Sequence, residues 1–176
     1  LALEIPKPHL DEFMPECELG FALAHECLKS PSYANYYKQL DMDVLLDNGI
    51  IETGTAMNTP QLWRMVNRVQ PKAVIPPDEL YNLTFGLMCR DQMLKTIPDT
   101  LHTTQLGFVV QGNTLGERVF ALHNAVINCC NPICLPYRTN RVETFQTWIN
   151  IHGLTDSHIH HIPWIHLLGL RNFTEL

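Results

Sequence analysis

Several short segments of this 176-residue sequence carry the residue types that acid–base and hydrogen-bond chemistry need. Asp47-Asn48-Gly49, with Glu52 close behind, sets a carboxylate and an amide at a glycine turn. Asp78 and Glu79 follow Val74-Ile75-Pro76-Pro77, Gln111-Gly112 follow Val109-Val110, and Tyr137 and Arg138 follow Leu135-Pro136. Each set stands directly after an apolar run. A carboxylate placed there can move a proton or receive a pair of N–H donors, and an amide can meet a carbonyl oxygen. Singly, each segment also has an ordinary structural role. Asp47-Asn48-Gly49 is a common turn sequence, and Asp78 can charge the first turn of the helix it precedes.

The elements that must position these residues repeat one unit: a short apolar run, a polar punctuation, then a segment of helical period. The runs are Phe21–Ala24, Val44–Leu46, Ala73–Ile75, Phe108–Val110, Ile133–Leu135 and, less cleanly, Trp164–Leu168. They recur roughly every 25–35 residues, the size of a strand with its crossover helix. Ser30-Pro31 and Thr59-Pro60 read as helix starts, and Pro98 stops a helix carrying Leu80, Leu83, Leu87, Leu94 and Ile97. Thr114 with Glu117, and Asn140 with Glu143, have capping-box spacing. Polar residues that end successive strands would therefore ring one mouth, where the βα loops of such folds converge.

Composition narrows the classes. Hydrophobic residues at 45% against 17% charged exclude a disordered or low-complexity chain. No stretch is long and apolar enough to span a bilayer, so membrane partners are not expected. The six cysteines fall inside predicted helices and strands, as the reduced thiols of a cytoplasmic protein would. A net charge of −6 argues against a surface built mainly on phosphate neutralisation, yet allows a local basic groove. Arg138 and Arg141, after the Ile133–Leu135 strand, are the candidates for it; Arg64 and Arg68, one turn apart, suit a solvated helix face. The whole chain, 1–176, reads as a single α/β domain. An open dinucleotide-binding sheet lacks its glycine-rich turn in Ala24-His25-Glu26-Cys27-Leu28. The preferred fold is a (β/α)8 TIM-barrel type truncated after about six βα units, since a full barrel takes ~250 residues.

The strand-end residues suit a definite ligand edge. Guanine presents N1–H and N2–H2 donors beside the O6 acceptor, which Asp78 can meet with a carboxylate and Gln111 with Gly112 can meet with N–H groups. The same carboxylates can equally hold Mg²⁺ or serve sugar hydrolysis. In their order along the chain, Asp47-Asn48-Gly49 with Glu52, Ala73-Val74-Ile75-Pro76-Pro77-Asp78, Gly107-Phe108-Val109-Val110-Gln111-Gly112 and His166-Leu167-Leu168-Gly169-Leu170 resemble the tRNA-guanine transglycosylase superfamily. The likeness runs from about Ile5 to Leu176 and leans toward the phage and bacterial branch that inserts 7-deazaguanine bases into DNA.

The resemblance implies a barrel glycosyltransferase that exchanges guanine for a 7-deazaguanine derivative through a covalent aspartyl intermediate. Asp47 would be the carboxylate beside the reacting sugar and base. Asp78 would receive the base edge, Gln111 and Gly112 would donate to O6, and the backbone near Leu135 would complete the pocket. DNA is the expected nucleic acid ahead of tRNA. The family's nucleophilic aspartate and its structural zinc set both lie C-terminal to the last matched segment, so no residue is assigned the attack and no cofactor is expected within the chain. Cys129-Cys130-x-x-x-Cys134 is not the zinc spacing, and core thiols are the better reading. Asp156, His158, His160 and His161 read as a polar loop before the last strand, and His25 as a satisfied core histidine. Competing expectations are another carboxylate-dependent barrel enzyme, a glycosidase or lyase, and an inactive remnant or one half of a split enzyme that binds a partner supplying the missing strands; self-association through the open barrel edge is expected as well.

Overall fold

The computed structural model describes residues 2–3, 9–13, 18–98, 101, 103–136, 140–153 and 165–168. These form an α/β fold in which every paired strand runs parallel to its neighbour. The chain packs as two compact units, one of residues 1–77 with 89–106 and the other of residues 78–88 with 107–176.

The first unit holds a sheet of β1 (Ala2–Leu3), β2 (Leu19–Leu23), β3 (Val44–Asp47), β4 (Ala73–Val74) and β5 (Gln105–Leu106), adjacent in that order. β2 and β3 are buried along their whole length, as strands covered on both faces must be, which is why they read as unbroken apolar runs. In register, Leu23 stands opposite Asp47, so both strands reach their carboxyl ends together. Helices α1 (Leu10–Phe13), α2 (Ala24–Lys29), α3 (Pro31–Lys38), α4 (Ile50–Thr53) and α5 (Thr59–Val69) follow the strands. Ser30 caps α3 by accepting from the Tyr33 N–H, as its sequence predicts. α5 is capped one residue earlier than expected: the Asn58 side chain accepts from the Gln61 N–H, leaving Pro60 inside the first turn. Leu62, Met65, Val66 and Val69 form the buried stripe of α5 against Ala22, Val44, Leu46 and Val74.

The second unit holds β6 (Phe108–Val109), β7 (Ile133–Pro136) and β8 (Ile165–Leu168), with α7 (Leu115–Ile127) and α8 (Arg141–His152). Phe108, Val110, Leu122, Ile133, Leu135 and Trp148 build its core. Thr114 forms the complete capping box of α7 with Glu117. Asn140 does not do the same for α8. Its φ of 47° places it in the left-handed region, and no side-chain cap forms.

β1 and β5 correspond to no apolar run in the sequence, because two-residue strands leave no periodicity to read. The helix after Asp78 is α6 (Leu83–Lys95), but Leu80 and Leu94 are exposed while Cys89 and Met93 are buried. Leu83 and Leu87 pack on the core of the second unit and Met93 belongs to that of the first, so no single stripe runs the length of α6. No helix among the described residues is long and apolar enough to cross a membrane.

Candidate functional site

Two groups of polar residues lie at carboxyl ends of strands, one in each unit. In the first unit, β3 ends at Asp47 and the chain turns on Asn48-Gly49. Asp47 Oδ2 accepts from the Gly49 N–H at 2.8 Å, and Asn48 Oδ1 accepts from the Ile50 N–H at 3.0 Å. The Asn48 amide donates to the Pro76 carbonyl at 2.8 Å, tying the end of β3 to the segment after β4. Gly49 has φ of 79°, and a Cβ there would stand 2.5 Å from His25 Nδ1. Only glycine fits both the backbone and the space. His25, the second residue of α2, is not the satisfied histidine expected. Its Nδ1 is buried without a hydrogen-bond partner among the described residues, while its Nε2 lies 3.3 Å from Glu26 Oε1. Glu52 lies exposed on α4 and takes no part in this turn.

The second unit assembles Asp78, Gln111 and Gly112. Gln111 Nε2 donates to Asp78 Oδ2 at 2.7 Å, with Gln111 2% and Asp78 5% exposed. Gln111 Oε1 accepts from the Tyr81 N–H at 3.1 Å. The amide orientation is therefore settled chemically, since an ionised carboxylate only accepts and a main-chain N–H only donates. One N–H of the amide goes to Asp78, and the other meets no acceptor among the described residues. Tyr81 adopts φ of 64° to aim its N–H at this amide, a left-handed conformation that a bulky residue takes only when its surroundings impose it.

Gly112 follows with φ of 154°, and a Cβ there would press to 2.8 Å from Glu117 Cβ and 3.1 Å from the Arg118 nitrogen. The Arg118 guanidinium holds this turn from below: Nη1 donates to the carbonyls of Gly112 and Asn113, and Nε donates to Thr144 Oγ1. Thr144 Oγ1 in turn donates to the Asn140 carbonyl at 3.1 Å. The segment after β6 is thereby fastened to the start of α8, the helix that follows β7.

Of the remaining sequence candidates, Leu135 is buried in β7 within the hydrophobic core. Arg138 lies outside the described residues, as do Asp156, His158, His160 and His161. Arg141, expected to face a phosphate, is 6% exposed at the first position of α8. Arg64 and Arg68 are exposed on α5 as expected, although Arg68 also donates to the Cys27 carbonyl at 3.0 Å. Cys134 and Cys130 are buried and Cys129 is exposed, none of them in a disulfide. No group of three metal-ligating side chains occurs among the described residues. Sequence reasoning missed Tyr81, Arg118 and Thr144. Arg118 had a signal, because it lies three residues after Leu115 on the face carrying Leu115, Val119 and Leu122.

The fold has a known counterpart. Phosphoenolpyruvate phosphomutase from Streptomyces platensis subsp. rosaceus matches with a TM-score of 0.54 over 95% of this chain and 74% of that chain, at 9% identity. At that identity the likeness is one of fold, to a TIM-barrel protein. No protein-family model and no curated protein sequence matches the chain.

Proposed function

We propose that the strands belong to a (β/α)8-type barrel whose second unit reads the edge of a guanine-type base, as part of a transglycosylase that exchanges guanine for a 7-deazaguanine derivative in DNA. The observation that carries this reading is the buried Asp78–Gln111 pair. A carboxylate offers acceptors to the N1–H and N2–H2 donors, and the uncommitted amide hydrogen of Gln111 offers a donor to O6. Pre-orientation by Tyr81 lowers the ordering cost of binding, which favours a selective pocket over an adaptable one. The barrel-like fold supports the reading by placing ligand chemistry at the carboxyl ends of strands, where this pair lies.

In the same reading Asp47 moves the proton as a base leaves or enters. Its Oδ2 is held by the Gly49 N–H, which fixes the carboxylate beside the end of β3. The attack on C1′ is assigned to no residue of this chain.

Calorimetric titration of 7-deazaguanine into the protein and into Asp78→Asn tests the base-recognition step. An amide presents a mixed face where two acceptors are required, so affinity should fall by about 2–4 kcal/mol. Equal affinities would remove Asp78 from the pocket.

A further inference from the structure

Arg118 is a buried cation whose hydrogen-bond partners among the described residues are all neutral. The residue is 8% exposed, and its hydrogen bonds go to two main-chain carbonyls at 3.4 and 3.3 Å and to a hydroxyl at 3.3 Å. No carboxylate among the described residues pairs with it. Its neighbour Glu117 is spent elsewhere, accepting from the Asn113 N–H at 2.7 Å and the Thr114 N–H at 3.2 Å. Burying a guanidinium is costly unless an anion compensates it, and arginine cannot escape by losing its proton. Nε and Nη1 are committed, whereas Nη2 meets no acceptor among the described residues. Such a fork is immobilised on two sides and open on the third. A second buried guanidinium, Arg141, stands one turn before Thr144 on α8, so positive charge gathers at the starts of both helices that follow β6 and β7.

We infer that Arg118 is an anion-binding residue that takes a phosphate oxygen through Nη2 at the carboxyl ends of β6 and β7, next to Gln111 and Gly112. A phosphate supplies the missing negative charge and matches the planar fork of a guanidinium. The rigid hold on the Gly112 and Asn113 carbonyls brings the open face to the ligand without further ordering. The assignment stands independently of base exchange, since any phosphorylated ligand provides the same oxygens.

The experiment is a titration of the whole protein with inorganic phosphate, read at the Arg118 side-chain Nε–H resonance, together with calorimetry on Arg118→Met and Arg118→Lys. The expected result is a saturable shift of that resonance in the native protein. Affinity should drop at least tenfold in Arg118→Met and less in Arg118→Lys, which keeps the charge but loses the fork. Arg64→Met, which removes an exposed cation of the other unit, should bind as the native protein does. A second arm adds a single-stranded oligodeoxynucleotide. Displacement of phosphate from Arg118 assigns the phosphate to a nucleic-acid backbone, and retention of phosphate assigns it to a small phosphorylated ligand. An unmoved Arg118 resonance at saturating phosphate overturns the assignment, even where Arg118→Met fails to fold. Equal phosphate affinity in folded Arg118→Met overturns it as well.

Discussion

Gln111 donates to Asp78 across 2.7 Å inside the protein, with the Tyr81 main chain holding the other end of the amide. The pair works because one partner only accepts and the other can donate. Gln111→Glu keeps the shape and removes the donor, setting two carboxylates in contact in a buried site. Both cannot ionise there, so the pair should retain a proton at neutral pH. Stability at pH 7 should fall by about 2–4 kcal/mol and recover in part on acidification. Urea unfolding at pH 7 and pH 5 checks this; an unchanged midpoint at pH 7 would mean that Asp78 and Gln111 are not in contact.

Gly49 and Gly54 share nearly the same backbone, with φ of 79° and 78°, but differ in surroundings. A Cβ at Gly54 meets nothing within 4 Å, whereas one at Gly49 meets His25 Nδ1 at 2.5 Å. Gly54→Ala should cost only the strain of a left-handed alanine, about 1 kcal/mol. Gly49→Ala should cost about 2 kcal/mol more, and His25→Ala in that background should recover at least part of the excess. Equal losses at the two glycines would show that His25 does not lie over the Asp47-Asn48-Gly49 turn.

His166 in β8 gives a pH dependence of definite sign. Burial pushes its imidazole from 6.5 down to about 4, so the folded protein favours the neutral ring. Its contribution is full above pH 6.5. As pH falls the unfolded chain takes the proton first, and stability declines until the folded ring also titrates near 4. The side chain is only partly buried by exposed area, so about 3 kcal/mol is an upper bound for this loss. His166→Gln should flatten the stability profile between pH 6.5 and 4. A mutant profile with the native slope would assign the acid sensitivity elsewhere.

Strands β2, β3 and β7 were legible because burial on both faces writes an uninterrupted apolar run into the chain. β1 and β5, two residues each, write nothing. Helix starts show the limit of motif reading most clearly. Thr114 and Asn140 carry the same capping spacing, yet only Thr114 takes the extended backbone that lets its side chain turn back onto the helix. The polar ends of the strands could be picked out by position, and the contact of Asp78 with Gln111, 33 residues apart, follows from that logic. The N–H of Tyr81 could not be foreseen, since its role rests on a positive φ that the side-chain type disfavours. Arg141 shows a different limit: its place after a strand can be read from the sequence, whereas its burial at the first position of α8 cannot.

The central claim is that Asp78 and Gln111 together read a guanine-type edge, and base discrimination by the native protein tests it most directly. Guanine, hypoxanthine and adenine differ at the positions that this pair would read. Hypoxanthine lacks the N2 amine, and adenine replaces O6 with an amine and N1–H with an acceptor. Competition titrations should rank guanine first, hypoxanthine about 10–100-fold weaker through loss of one hydrogen bond to a charged acceptor, and adenine weaker still. Equal affinity for the three bases, or a preference for adenine, would contradict the account.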